Sequence, residues 1–183
     1  MLGYKGFRKD LTCTMGKGTF QYEPGRWYDE TLAHCGHDGF HATDNPLDVL
    51  SYYDVKDDRY FIVQLEGNID EDGVNSRISA PRIRLLREIS KRQLYKDGMM
   101  WIIEHQNAEW PSAVKKDTGH ARGSGNVIVR GKNPRAAGEL GDALFLLKED
   151  KTGQITDAGV YIIDGAGFKP GTYYDVKGDA VDE

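Results

Sequence analysis

Residues 39–67 read GFHATDNPLDVLSYYDVKDDRYFIVQLEG, and they carry the clearest succession of strand and helix signals in the chain. Residues 40–42 predict a short strand. Asp44-Asn45-Pro46 is a typical helix start, because a side-chain acceptor caps the first free amides and proline fits the first helical position. The predicted helix covers residues 46–53, and a charged turn follows it at residues 56–59.

The next predicted element, residues 60–65, is the best strand in the chain. Tyr60, Ile62 and Gln64 alternate with Phe61, Val63 and Leu65, so both faces are largely apolar and the strand should be central in its sheet. A strand, a crossover helix and a second strand form a platform that can hold a ligand near the first turn.

Further strands are predicted on both sides of this platform. Residues 2–9 read as a first strand, and residues 19–22 and 26–28 as a hairpin around a type II turn at Pro24-Gly25, where glycine supplies the positive φ. After Gly67 a polar connection leads to a predicted strand at residues 82–89 with one solvent-exposed face. Residues 90–106 predict a helix interrupted near Gly98.

The composition changes at Asn107, and we predict a domain boundary there. Residues 1–106 read as an α+β domain, residues 107–135 as a Gly-rich basic linker or eroded repeats, and residues 136–183 as a small antiparallel β unit. Its three short strands are expected at residues 143–148, 159–163 and 172–176, separated by glycine turns.

Composition and charge restrict the class of protein. The 183 residues carry a net charge of −5, which argues against general nucleic-acid binding. No apolar run approaches the roughly 20 residues that span a bilayer, and the first ten residues lack the pattern of a signal peptide. Two cysteines, Cys13 and Cys35, do not make a disulfide framework. We therefore expect a cytoplasmic protein, with no membrane partner and with reduced thiols.

His34, Cys35 and His37, with His41 just beyond, invite comparison with a zinc site. The Cys35-x-His37 spacing is tighter than that of common zinc knuckles, and no second cysteine pair follows. No metal is expected here, and His41 is the histidine most expected to have a functional role.

Basic residues cluster between positions 77 and 92. If Arg82 and Arg84 lie on one strand, their spacing of two places both on one face. Two interpretations stay open: a solvated sheet face, or a subsite for an anion or a nucleotide.

The order of these segments resembles an uncharacterised family of small phage and prophage proteins. The resemblance rests on YKGFRKDLTC, FQYEPGRWYD, GFHATDNPLDVLSYY and DRYFIVQLEG in the first half, and on SGNVIVRGKNPRAAGELGDALFLL and VYIIDGAGFKPGTYYDV in the second. It covers most of the chain and implies no known biochemistry.

Residues 4–89 also resemble the small ADP-ribosyltransferase fold, especially its rifampicin-modifying branch. Lys5-Gly6-Phe7, Pro24-Gly25, Phe40-His41-Ala42-Thr43 and residues 59–63 stand where that family has its sequence motifs. The resemblance implies a split-sheet α+β domain that holds NAD in a cleft between the first strand and the turn from strand to helix.

This sequence departs from the family at the positions that carry its chemistry. Lys5 replaces the histidine that binds the adenosine ribose, and Phe40 replaces the tyrosine that stacks on nicotinamide. The acid that stabilises the transition state has no secure counterpart, although Glu88, Glu66 and Asp70 are available. Losing groups aimed at the transition state lowers turnover but leaves ground-state binding intact.

The leading hypothesis is therefore a non-catalytic phage accessory protein. It would bind a nucleotide-derived ligand, such as an ADP-ribose-like or NAD-like molecule or a cyclic nucleotide signal, or a host defence protein, and act as an anti-defence factor. No bound cofactor is required. The expected ligand-binding residues are Lys5, Phe40, His41, Thr43, Tyr52, Arg82 and Arg84.

Two alternatives remain. One is an active mono-ADP-ribosyltransferase that modifies a host target, with His41 and Glu88 as candidate catalytic residues. The other is a virion-associated structural protein that forms a homo-oligomer through the C-terminal β unit.

Overall fold

The computed structural model describes residues 1–14, 18–71 and 73–183, and across them the chain is mostly β-sheet with few helices, an α+β fold. It divides into two compact units, Met1–Leu94 and Tyr95–Glu183. Among the described residues, no helix combines the length and the apolar character needed to cross a membrane.

Nine strands belong to the described part of the first unit. They are β1 (Leu2–Phe7), β2 (Thr12–Cys13), β3 (Phe20–Gln21), β4 (Trp27–Asp29), β5 (Phe40–Thr43), β6 (Arg59–Glu66), β7 (Asp70–Glu71), β8 (Arg77–Ala80) and β9 (Arg82–Ile89). Seven of them form one sheet in the order β4-β9-β6-β1-β5-β8-β7, and β2 pairs with β3 apart from it.

The predicted strand, helix and strand of residues 39–67 are confirmed in a split form. β1 is antiparallel to both β5 and β6, so these two strands are parallel to each other with β1 between them. The helix that connects them, Pro46–Ser51, is a 3₁₀ helix. The Asn45 side chain accepts a hydrogen bond of 3.1 Å from the Leu47 amide, and Pro46 follows it, so the predicted cap is also confirmed.

β6 is central, as its two apolar faces predict. Phe61, Val63 and Leu65 lie in one buried cluster together with Phe7. Tyr60 and Ile62 belong to a second cluster, which contains Val49, Tyr53, Ile89 and Leu94. The sheet is therefore buried on both faces along β6.

The predicted hairpin around Pro24-Gly25 is wrong, although the turn itself is present, with Gly25 at φ +79°. β3 pairs with β2, and β4 pairs with β9. Trp27 on β4 lies beneath the guanidinium groups of Arg82 and Arg84 on β9, at 4.3 and 4.7 Å from its ring, and these contacts favour β9 as the partner.

Two further predictions for the first half need correction. The polar connection after Gly67 contains β7 and β8, because Ile78 and Ala80 are buried in the core and draw this segment into the sheet. The helix predicted to break near Gly98 is the unbroken α1 (Lys91–Glu104).

In the second unit the described strands are β10 (Val114–His120), β11 (Asn126–Ala137), β12 (Ala143–Glu149), β13 (Ile155–Ile162), β14 (Tyr173–Asp175) and β15 (Ala180–Val181). The strands predicted at residues 143–148, 159–163 and 172–176 are confirmed. Gly153, Gly165 and Gly171 take positive φ in the turns next to them.

The segment at residues 107–135 is not a linker, because it contains β10 and most of β11. β11 is parallel to β10 and to β12, and β12 is antiparallel to β13, so this sheet is mixed where a purely antiparallel unit was expected. The buried run Val127-Ile128-Val129 on β11 places this strand in the interior in spite of the basic residues around it.

Candidate functional site

The seven-stranded sheet opens between β1 and β5. These two strands share one register pair, Tyr4 opposite Thr43, within the part of the chain that the structure describes. Residues 5–7 of β1 and residues 40–42 of β5 would continue this register, but no pairing between them follows in the described structure. The two strands therefore separate beyond Tyr4 and Thr43. The opening is part of a cavity of about 770 Å³.

The Lys5 side chain reaches across this opening. Its Nζ donates a hydrogen bond of 2.5 Å to the His41 carbonyl oxygen on β5. It also lies 5.7 Å from the ring centroids of Phe7 and Tyr22. Lys5 is thus a side chain of β1 whose amine sits at the cavity wall beside β5.

Burial dominates the electrostatics of Lys5. The residue is only 7% exposed, and burial lowers the pKa of its amine, with a smaller opposing effect from Cys13. Among residues 1–14, 18–71 and 73–183, no carboxylate forms an ion pair with it. A lysine buried without an opposite charge is costly, because the ammonium loses its hydration.

Aromatic side chains form much of the remaining wall: Tyr4, Phe20, Tyr22, Phe40, Tyr52 and Tyr53. Phe20 lies 4.7 Å from the Tyr22 ring and 5.8 Å from the Phe40 ring, measured between centroids. Tyr22 and Phe40 are almost fully buried, whereas Phe20 is 40% exposed. Phe20 is therefore the aromatic face of this cluster that a ligand could cover.

Two buried phenols in the wall remain protonated at neutral pH. The Tyr53 hydroxyl donates a hydrogen bond of 3.0 Å to Cys13 Sγ, and burial followed by this contact raises the pKa of Tyr53. Burial, with a smaller effect of Cys13, also raises the pKa of Tyr22. Both groups are therefore hydroxyl donors of hydrogen bonds at neutral pH, and not phenolates.

His41 and Thr43, predicted as ligand contacts, line the cavity but use polar atoms to hold the local fold. His41 Nε2 accepts a hydrogen bond of 2.8 Å from the Gly36 amide, which places the ring proton on Nδ1 in the neutral form. Thr43 Oγ1 donates to the Asn45 carbonyl oxygen at 2.9 Å. These contacts fix the loop before β5 and the turn after it.

Tyr52 and Phe40, also predicted, line the cavity. Tyr52 is half-buried and caps the end of the 3₁₀ helix, while Phe40 begins β5. The structure thus brings Lys5, Phe40, His41, Thr43 and Tyr52 together around one cavity.

Arg82 and Arg84, by contrast, do not line it. Arg82 forms ion pairs with Asp29 at 2.8 Å and Glu66 at 2.9 Å. Arg84 donates a hydrogen bond of 2.7 Å to Gln64. Both belong to the face of β9 that covers Trp27, so the structure does not bring them together with the other predicted ligand contacts.

Glu88 is also outside the cavity. It forms a two-point ion pair with Arg59, with both N–O distances at 2.7 Å, and this pair lowers the pKa of its carboxyl group. The second candidate catalytic residue therefore does not share a site with His41.

Several residues of the wall are not among those predicted from the sequence. Arg77 is a second cation in it, and Glu30 and Asp38 are its acids. Phe20 and Tyr22 have the two-residue spacing of a strand face, which was available as a signal. Their approach to Phe40 depends on the pairing of β2 with β3, which the predicted hairpin excluded.

The side chains and backbone of the segment that contains His34 and Cys35, before β5, contact acidic residues of the protein. The Cys35 amide donates to Asp70 at 2.7 Å, and the ring of His34 lies 3.9 Å from the Asp38 carboxylate. Within the described ranges, no three His, Cys, Asp or Glu side chains are grouped so that they could hold a metal ion.

A family model described as a domain of unknown function, DUF7666, matches residues 1–97, which include the whole of Met1–Leu94 and every residue of the cavity wall. The chain belongs to the DUF7666 family. No curated protein and no solved structure gives a match. The expected membership of an uncharacterised family is thereby confirmed for the DUF7666 region, and the cavity is a feature of that region.

Proposed function

We propose that the DUF7666 domain of this chain is a binding module that holds a nucleotide-derived small molecule in the cavity between β1 and β5. The observation that carries this proposal is the aromatic-walled opening in the sheet, with the buried Lys5 amine at its edge. Its volume of about 770 Å³ is within the range of about 300–1,000 Å³ that is typical of small-molecule sites.

The chemistry of the wall suits a base and a sugar better than a string of phosphates. Exposed Phe20 offers a stacking face for a base. Lys5 and Arg77 can contact a phosphate or a sugar oxygen, while Glu30 and Asp38 can accept hydrogen bonds from ribose hydroxyl groups. Two cations and two acids leave the wall nearly neutral, so aromatic contacts would supply most of the affinity.

Binding without turnover fits the placement of the candidate catalytic groups. His41 Nε2 already accepts the Gly36 amide, and Glu88 is paired with Arg59 away from the cavity. The position of the opening, between the first strand and the turn from strand to helix, also agrees with where the resemblance to ADP-ribosyltransferases implies a nucleotide. A phage accessory role, in which the domain sequesters a nucleotide signal of host defence, is the biological form of this proposal.

Isothermal titration calorimetry with ADP-ribose, NAD and cyclic dinucleotides tests the proposal. At least one of these should bind, and Phe20→Ala should weaken binding by about 1–3 kcal/mol, or roughly fivefold to 150-fold, through the loss of stacking. Arg84→Gln is the matched control, because Arg84 belongs to the basic run but not to the cavity, and it should leave the affinity unchanged.

Two outcomes would contradict the proposal. The first is that none of these ligands binds. The second is that Arg84→Gln abolishes binding while Phe20→Ala has no effect, which would place the ligand on the β9 face instead.

A further inference from the structure

Lys5 combines three features that a structural lysine does not require. Its amine is buried, it lies at the wall of an open cavity, and its described hydrogen bond is to a carbonyl oxygen and not to a carboxylate. A carbonyl oxygen accepts a hydrogen bond from either the ammonium or the neutral amine, so this contact does not oblige Lys5 to stay charged. A carboxylate would hold it as an ammonium.

From this geometry we propose that Lys5 is a reversible covalent attachment point for an aldehyde, namely the open-chain sugar of a nucleotide derivative whose anomeric carbon is unsubstituted. The inference rests on the proposed function, because the cavity must first hold the nucleotide. Among nucleotide-derived ligands, those with a free sugar aldehyde would then dissociate most slowly from the cavity.

Desolvation supports the nucleophile. The neutral amine is the reactive form of lysine, and burial raises its population by lowering the pKa of Lys5. The rings of Phe7 and Tyr22 at 5.7 Å favour the charged form, as does Cys13, but the loss of hydration outweighs these effects.

The reaction needs no oxidant, reductant or metal. The lone pair of Lys5 Nζ attacks the aldehyde carbon, the carbonyl electron pair moves to oxygen, and one proton passes from the nitrogen to that oxygen to give a neutral carbinolamine. The carbinolamine then loses its hydroxyl group as water while the nitrogen loses its remaining proton, and an imine forms. Amine and aldehyde become imine and water, and water reverses the step.

The phenol groups in the cavity wall do not take part in these proton transfers. Burial keeps Tyr22 and Tyr53 in the phenol form, and Tyr53 donates to Cys13 at 3.0 Å. Because burial raises the pKa of both groups, they are weak acids, and water that enters the open cavity supplies the proton that the leaving hydroxyl group requires.

Trapping with cyanoborohydride tests the inference on the full-length chain. ADP-ribose supplies an open-chain aldehyde, whereas in NAD the same carbon is blocked by nicotinamide. Reduction of the imine should give an adduct with the mass of ADP-ribose less one oxygen atom, and peptide mapping should place it on Lys5. NAD should give no adduct.

Lys9, which does not line the cavity, provides the matched control. Its side chain is 79% exposed, so its reaction with ADP-ribose measures the background rate of an ordinary lysine. We expect Lys5 to be labelled at least tenfold faster than Lys9 at neutral pH. Lys5→Met should remove the adduct, and Lys9→Met should not change it.

Calorimetry without cyanoborohydride measures ligand binding separately from the covalent step. If ADP-ribose and NAD both bind but Lys5 is labelled no faster than Lys9, the covalent step is wrong and the binding module stands. If ADP-ribose and NAD do not bind and Lys5 is not labelled, the covalent step is wrong; if the cyclic dinucleotides also fail to bind, the proposed binding function is wrong as well. Circular dichroism of Lys5→Met must match that of the unmodified chain for the comparison to count, and Lys5→Arg serves as a second variant that cannot form the imine.

Discussion

Gly6→Ala should destabilise the DUF7666 domain because Tyr53 occupies the space that the new methyl group needs. A Cβ atom built on Gly6 would lie 2.5 Å from Tyr53 Cβ and 2.6 Å from two atoms of its ring. Tyr53 Cβ is attached directly to the backbone, so no side-chain rotation can relieve the closest contact. The strand and the segment after the 3₁₀ helix must move apart instead.

The magnitude is a balance of two effects. Overpacking a well-packed core costs about 1–3 kcal/mol. Replacing a glycine inside a strand recovers roughly 0.5–1 kcal/mol, because alanine loses less conformational freedom on folding. The expected net loss is therefore about 1 kcal/mol, and at most about 2.5 kcal/mol.

Gly3→Ala on the same strand is the matched control. Its Cβ would meet the Thr43 carbonyl oxygen at 3.2 Å and two side-chain carbons at 3.4 Å, which the neighbours can accommodate with a small shift. The two contributions then nearly cancel, and the stability should stay within about 0.5 kcal/mol of the unmodified chain.

Urea unfolding followed by circular dichroism measures both variants, and hydrogen exchange of β1 and β6 assigns the transition to Met1–Leu94. Gly6→Ala should shift the midpoint to lower urea with an unchanged slope. If Gly6→Ala proves as stable as Gly3→Ala, the packing of Tyr53 on β1 is not as described.

Three other changes test separate features. Asn45→Ala removes the oxygen that accepts the Leu47 amide and should lower the free energy of unfolding by about 1 kcal/mol in thermal denaturation; an unchanged midpoint would mean that the cap contributes nothing. The buried Arg130 guanidinium lies 2.5 Å from the Glu149 carboxylate, and Glu149→Gln removes this charge partner. The free energy of unfolding measured in urea should fall by about 3–5 kcal/mol, and a much smaller loss would mean that water reaches the pair. Lys5→Met tests the buried amine: because the folded pKa is lowered, the unfolded chain binds more protons at Lys5 between that value and the ordinary 10.5. The unmodified chain should therefore gain stability relative to Lys5→Met as the pH rises from the lowered folded-state pKa to about 10.5, and a difference that is independent of pH would contradict the lowered pKa.

Local signals in the sequence predicted local structure well. The cap at Asn45-Pro46 and the alternation along residues 60–65 each depend on a few neighbouring residues, and both appear in the structure as expected. The pairing of β4 did not follow from its neighbours, because Trp27 packs on arginines more than fifty positions further along the chain. Strands that are adjacent in sequence commonly form a hairpin, but the long-range contacts of Trp27 favour pairing of β4 with β9 instead.

Composition misled the prediction for residues 107–135. Glycine and basic residues suggested a linker, yet Val127, Ile128 and Val129 form part of the buried interior of β11. Three consecutive apolar residues are typical of a strand buried on both faces, and this short signal outweighed the surrounding composition.

The candidate site was predictable in part. The cavity wall includes Lys5, Phe40, His41, Thr43 and Tyr52, because β1 and β5 are neighbours; the resemblance to the ADP-ribosyltransferase fold, and not the local pattern, had implied that placement.

The spacing of Arg82 and Arg84 correctly placed them on one face but could not indicate what lies across from them. In the sheet, Glu66 is opposite Arg82 and Gln64 is opposite Arg84, so partners on β6 occupy both guanidinium groups.

The single register pair between β1 and β5 has a mechanical consequence. Four strands, β4, β9, β6 and β1, lie on one side of it, and three strands, β5, β8 and β7, lie on the other. The pairing of Tyr4 with Thr43 and the hydrogen bond from Lys5 to the His41 carbonyl oxygen both connect these two groups of strands. A ligand that contacts β1 and β5 together would add a further connection, so it should slow amide hydrogen exchange in strands on both sides of the opening, including strands that it does not touch.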